Sequence, residues 1–98
     1  MRINIRASHA RAPESDTLRR YETVARLLTG RPDAAAEDGA EWVRQLCQEV
    51  QIPPLSSYGI QERDVPILVE KASSASSTKG NPLTLTMDEL LQLLTSAL

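Results

Sequence analysis

Residues 86–98 read TMDELLQLLTSAL, and this stretch contains the clearest helix signal in the chain. Thr86 and Glu89 have the spacing of a capping box, in which the Thr side chain accepts a hydrogen bond from the backbone at position 89 and the Glu side chain reaches back. Apolar residues then recur along one helical face: Leu90, Leu91, Leu94, Ala97 and Leu98. The pattern predicts a C-terminal amphipathic helix.

Two longer helices are predicted upstream. The first runs from about Ser15 to Thr29, with Ser15 as its cap and Gly30 as its end. Its apolar stripe is Leu18, Tyr21, Val24, Ala25 and Leu28. The second runs from about Asp33 to Val50, with Asp33 as a cap and Pro53-Pro54 as a stop. Its stripe is Ala36, Ala40, Val43, Cys47 and Val50, widened by Trp42 and Leu46.

The remaining segments predict shorter elements. A helix over about 62–74 fits if Asp64 is its cap and Pro66 lies in its first turn. Ile67, Val69 and Ala72 would then face inward. Residues 1–10 are weakly helical, 52–60 are irregular with Gly59 in a turn, and 73–81 (SSASSTKGN) are expected to be a loop. No strand pattern is present, so the sequence predicts an all-α fold of four to five short helices in a compact bundle, forming one domain over 1–98.

Composition narrows the function classes. A chain of 98 residues with 41% apolar residues supports one modest core, which is too small for a nucleotide-binding domain together with a catalytic domain. One cysteine and one histidine exclude a disulfide framework and the usual zinc clusters. Residues 1–31 carry seven Arg and three acids, whereas the whole chain has a net charge of −2. Because the arginines are dispersed and the chain is acidic overall, nucleic-acid binding is not favoured. No apolar run is long enough to span a membrane.

No catalytic set of residues is complete. His9 is expected at the surface, and Cys47 is expected to pack within its helix stripe without a partner base. The segment from Ser73 to Pro82 carries many hydroxyls and backbone donors that could meet a polar ligand, although it lacks a phosphate-loop pattern.

Several short motifs occur in an order that resembles iron-containing alcohol dehydrogenases, a family related in fold to dehydroquinate synthase. The pieces are Arg20-Tyr21 with Val24-Ala25 and Leu28, Trp42 to Leu46 followed by Ile52-Pro53, Tyr58-Gly59-Ile60 with Asp64-Val65-Pro66, the ASSTKGNP stretch of 75–82, and Leu85-Thr86 with Glu89-Leu90. They resemble the family's C-terminal helical part and cover nearly the whole chain.

The resemblance implies a parent oxidoreductase that transfers hydride between NAD(P) and an alcohol or aldehyde, with Fe²⁺ or Zn²⁺ as Lewis acid. It implies that the metal ligands and the nucleotide-binding domain lie outside this chain, so the isolated chain is expected to be inactive, metal-free and cofactor-free. It also implies that one segment lines the catalytic cleft without doing chemistry. The residues expected in this cleft wall are Ser77, Thr78, Lys79, Gly80 and Asn81.

The expected partners are the family's nucleotide-binding and metal-ligand regions, in a cytoplasmic enzyme, with neither nucleic acid nor membrane. Without those regions, an apolar face is expected to drive self-association. The residues assigned to this face are Leu90, Leu91, Leu94, Leu98, Val65 and Leu68. The alternative function is a free-standing helical protein-interaction module.

Overall fold

A computed structural model describes all 98 residues, and all of its regular secondary structure is helical. The six α-helices are α1 (Arg2–Arg11), α2 (Asp16–Thr29), α3 (Ala36–Glu49), α4 (Val65–Ser74), α5 (Ser76–Lys79) and α6 (Met87–Thr95). Two short 3-10 turns, Leu55–Tyr58 and Glu62–Asp64, complete the regular structure, and no strand is present. The predicted all-α fold class is confirmed. None of the helices combines the length and apolar character needed to cross a bilayer.

The chain forms two compact units, Met1–Ile52 and Pro53–Leu98. The first unit contains α1, α2 and α3, and the second contains α4, α5 and α6. Each unit has a small apolar core of its own. The assignment of residues 1–98 to one domain stays a prediction.

In the first unit, α2 and α3 approach each other closely where Gly39 meets Ala25. A Cβ atom added to Gly39 would lie 2.8 Å from both the Cα and the Cβ of Ala25. Ordinary carbon–carbon contacts are about 3.5–4.0 Å, so only glycine allows this approach. The absent side chain at position 39 therefore sets the spacing between the two helices.

Helix α1 packs on this pair through apolar and polar side chains. Ile5 forms a core with Leu18 and Ala36, while Asn4 and Ser8 are also buried. The Asn4 amide donates to the Tyr21 hydroxyl at 2.8 Å. This buried hydrogen bond explains why the apolar periodicity of α1 is weak, since part of its inward face is polar.

The predicted ends of α2 are confirmed, but the start of α3 is not. Ser15 accepts from the Leu18 N–H, and Gly30 ends α2 in the left-handed conformation at φ 70°. Helix α3 begins at Ala36 rather than Asp33, so the assignment of Asp33 as its cap is wrong. Asp38 instead reaches back and accepts from the Ala35 N–H at 2.9 Å, which satisfies a donor at the start of the helix.

Helix α3 ends before the prolines, in a Schellman motif. The Ile52 N–H donates to the Cys47 carbonyl at 2.9 Å, and the Gln51 N–H donates to the Gln48 carbonyl at 3.1 Å. Gln51 holds the left-handed position at φ 55°, where glycine is usual. Val50 was predicted to face inward but is 59% exposed, because the helix is ending and no neighbour covers it.

In the second unit, α4 packs against α6 around Val65, Val69 and Leu90. Leu85, Leu94 and Leu98 pack against this core. The predicted inward position of Ile67 is wrong, since its side chain is 57% exposed. The buried stripe of α4 is Val65 and Val69, four residues apart, and Ile67 lies between them on a different face.

These positions also correct the predicted self-association face. Val65 and Leu90 lie inside the core, and Leu94 and Leu98 pack on it, so they do not form an open surface. Leu91 is the member of that set that is clearly exposed.

In the second unit the predicted capping box of α6 is confirmed, whereas the predicted cap of α4 is only partly so. Asp64 directly precedes α4, but its carboxylate makes no cap hydrogen bond to that helix and accepts instead from the Gln61 N–H at 2.9 Å. Thr86 accepts from the Glu89 N–H at 3.2 Å, and the Glu89 carboxylate accepts from the Thr86 N–H at 2.8 Å. Gly59 is left-handed at φ 84°, as expected for a turn. The Leu55 N–H donates to the Ala97 carbonyl, and the Ser56 hydroxyl donates to the Leu98 carbonyl, so the turn at 55–58 holds residues 97 and 98.

Candidate functional site

The segment predicted to line a cleft lies between α4 and α6 in the second unit. The expectation of a loop over 73–81 is wrong, because α4 extends to Ser74 and Ser76–Lys79 forms a further helical turn, α5. The Ser73 and Ser74 hydroxyls both donate to the Glu70 carbonyl. Serine side chains that bond a preceding carbonyl in this way are compatible with helix, which their composition alone does not indicate.

The backbone donors of this segment are used within the segment itself. The N–H groups of Thr78 and Lys79 point to the Ala75 carbonyl, that of Gly80 to Ser77, and that of Asn81 to Thr78. The donor–acceptor distances are 3.1–3.4 Å. The backbone from 78 to 81 is therefore not a free set of donors for a ligand, contrary to the expectation from composition.

Two of the five candidate side chains, Ser77 and Lys79, are exposed. The Ser77 hydroxyl and the Lys79 ammonium make no hydrogen bond or ion pair within the chain. They lie two residues apart in α5 and present a hydroxyl and a positive charge at the surface of this unit.

The other three candidates, Thr78, Gly80 and Asn81, differ in how they contribute to the local structure. The Asn81 amide donates to the Leu83 carbonyl at 2.7 Å across Pro82, which fixes the turn leading toward α6. Thr78 is half-buried. Gly80 has an ordinary helical conformation, and a Cβ there would lie 3.5 Å from the Ser77 carbonyl, a normal contact. The fold therefore requires Asn81 in its turn, but it does not require glycine at position 80.

The first unit contains the remaining candidate residues. His9 lies at the surface as predicted, but its Nε2 atom is 2.8 Å from a Glu37 carboxylate oxygen on α3. This contact could not be predicted from the sequence, because the two residues are 28 positions apart and nothing in the pattern of either helix shows that α1 packs next to α3. Cys47 is half-buried and unpaired with another cysteine. No group of three His, Cys, Asp or Glu side chains is arranged to hold a metal ion.

The arginine-rich N-terminal third pairs with acids of its own unit. Arg20 contacts Asp16 at 2.9 Å within α2, and Arg31 contacts Asp38 on α3 at 3.0 Å. All these side chains remain substantially exposed, so each pair contributes little to stability. Intramolecular pairing, rather than a phosphate-binding surface, accounts for part of this positive charge.

The strongest electrostatic effect is on Glu41. Arg44 donates from its Nε and Nη2 atoms to the two carboxylate oxygens, with the Nε contact at 2.8 Å. These hydrogen bonds lower the pKa of Glu41 from 4.5 to about 2, and the charges of Arg44 and Arg2 act in the same direction. The pair also raises the pKa of Arg44. This is an i,i+3 contact on the exposed side of α3, and it stabilises the helix surface rather than preparing a reactive group.

Comparison with known proteins gives one family. The model of the Fe-containing alcohol dehydrogenase family, C-terminal, matches residues 2–98. Neither the curated proteins nor the solved structures give a match. Since the family match spans every residue except the first, the chain belongs to the Fe-containing alcohol dehydrogenase family and corresponds to its C-terminal part.

Proposed function

We propose that this chain is the C-terminal helical domain of a metal-dependent alcohol dehydrogenase that exchanges hydride between NAD(P) and an alcohol or aldehyde, and that residues 77–81 form part of its cleft wall. The observation that carries the proposal is the family match over residues 2–98, which places the chain in a dehydrogenase family. The contribution of this chain is to shape the cleft and position ligands, while the reacting groups come from the rest of the enzyme.

The side-chain arrangement of the segment supports a role in ligand contact. Ser77 and Lys79 have no partners within the chain, and their backbone is held by internal hydrogen bonds. Because the backbone is already ordered, only side-chain freedom is lost when these groups contact a ligand, about 0.5–1.5 kcal/mol for a long side chain such as lysine. Lys79 fits a negatively charged or carbonyl oxygen, and Ser77 fits a hydroxyl, as found on alcohols and ribose.

Metal chemistry is not assigned to residues of this chain. His9 and Glu37 form one close pair, and no third donor joins them. The donor set therefore does not fit a catalytic zinc or iron site, which needs at least three protein ligands. We assign no step of the reaction to a metal held by residues 1–98.

The proposed partner is the family's nucleotide-binding and metal-ligand region. Several large apolar side chains are exposed on this chain, with Leu27 at 79%, Ile52 at 61% and Tyr58 at 71%. We propose these side chains as contacts for that further domain and, in its absence, for association between copies of the chain.

The test is reconstitution of activity. The 98-residue chain is combined with the nucleotide-binding and metal-ligand region of an iron-containing alcohol dehydrogenase that lacks its own C-terminal part, with Fe²⁺ added. Alcohol-dependent reduction of NAD⁺ and NADP⁺ is then measured. Activity that requires both proteins supports the proposal, whereas tight association without turnover favours the free-standing interaction module.

Lys79→Ala in the reconstituted enzyme tests the cleft wall. We expect KM for alcohol or coenzyme to rise by about threefold to tenfold, the effect of losing a charged hydrogen bond of roughly 0.7–1.4 kcal/mol that water still screens. Lys71→Ala is the matched control, because Lys71 is the other lysine of the chain and is also exposed. Equal kinetic constants for the two variants would contradict the assignment of Lys79 to the cleft.

A further inference from the structure

We draw no further inference here: the strongest candidate, the exposed apolar stripe that Trp42, Leu46 and Val50 form along α3 and that Ile52 extends, is an unpartnered helix face, and nothing in the structure shows what covers it.

Discussion

Replacing Gly39 by alanine tests the closest contact of the fold. The new methyl group would lie 2.8 Å from the Ala25 Cα and 2.8 Å from its Cβ, and 3.3 Å from its nitrogen. Ala25 is completely buried in α2, and its two nearest atoms are Cα and Cβ, neither of which is the end of a flexible side chain that could turn away. Relief therefore requires the two helices to move apart by roughly 0.7–1.2 Å, the distance to an ordinary carbon contact of about 3.5–4.0 Å.

Two opposing effects decide the sign of this change. Alanine in place of a mid-helix glycine stabilises a helix by about 0.8–1 kcal/mol. Overpacking a core costs about 1–3 kcal/mol, and a clash with backbone belongs at the upper end of that range. The balance is a loss of about 2 kcal/mol in the free energy of unfolding of the first unit.

The assay is urea denaturation followed by the fluorescence of Trp42, the single tryptophan, which lies on α3 and so reports on the first unit. With a urea dependence of about 1 kcal/mol/M for so small a unit, the midpoint should fall by about 2 M. Gly80→Ala, whose methyl group meets only an ordinary 3.5 Å contact, is the control for the same exchange without a clash. Because Gly80 lies in the second unit, unfolding of that variant is followed by circular dichroism instead of Trp42 fluorescence. A Gly39→Ala midpoint equal to or above that of the unsubstituted chain would refute the close helix approach.

Four further predictions concern ends, charges and association. Gln51→Gly should raise the stability of the first unit by about 1 kcal/mol, because glycine removes the cost of a left-handed side-chain position; an unchanged or lower urea midpoint would contradict this. Thr86→Ala should cost about 1 kcal/mol through loss of the cap, visible in thermal unfolding followed by circular dichroism, and an unchanged unfolding curve would count against the capping box. Since the pKa of Glu41 is lowered from 4.5 to about 2, its pairing with Arg44 stabilises the fold above pH 4.5 and is lost as pH falls toward 2. The difference in urea midpoint between the unsubstituted chain and Glu41→Gln should therefore shrink from pH 5 to pH 2, and a constant difference would argue against the pair. Sedimentation of the isolated chain at micromolar concentrations should show dimers or larger species, and a single species near 10.8 kDa at every concentration would reject self-association.

The helix ends were largely predictable, because their signals are local. Ser15, Gly30 and Thr86 act within three or four residues of their own position, and the structure confirms each of them. The exception is Asp33, since the chain offers Asp38 as a second acid that caps from inside the helix. When two acidic residues flank the start of a helix, their spacing in the sequence does not show which one caps it. The conformation of the turn before the helix determines which carboxylate can reach the N-terminal N–H groups.

Burial was harder to predict, because it depends on which helix faces which. Val50 and Ile67 both fit an apolar pattern, yet both are exposed. Asn4 and Ser8 do not fit one, yet both are buried, and the hydrogen bond from Asn4 to Tyr21 offsets the cost of removing an amide from water. Apolar periodicity predicts a helix, but it does not show which of the apolar side chains are buried. That depends on which side of the helix the neighbouring helix packs against.

The segment from Ser76 to Asn81 shows why a candidate site was located by resemblance and not by its own chemistry. The Ser77 hydroxyl and the Lys79 ammonium make no hydrogen bond or ion pair within the chain, so the segment itself contains no paired acid, base or nucleophile. What distinguishes Ser77 and Lys79 from Asn81 is how each is bonded. The Asn81 side chain holds a turn, whereas the side chains of the other two make no hydrogen bond within the chain.

In the proposed cleft wall, this difference in bonding would separate a side chain that stabilises the turn from side chains that contact a ligand. The backbone of α5 is hydrogen-bonded within its own segment, and neither Ser77 nor Lys79 belongs to the core between α4 and α6. We therefore expect that both residues can be replaced by other residues without disturbing the packing of α4 on α6. Substitution at Asn81 removes a bond to Leu83 and loosens the entry to α6. If alcohol specificity is changed through the proposed cleft wall, positions 77 and 79 are therefore expected to vary, because their side chains make no hydrogen bond within the chain, and position 81 is expected to be kept. Comparing the KM and the thermal unfolding of Lys79→Ala with those of Asn81→Ala separates the two roles, since the first variant should change KM alone and the second should lower stability.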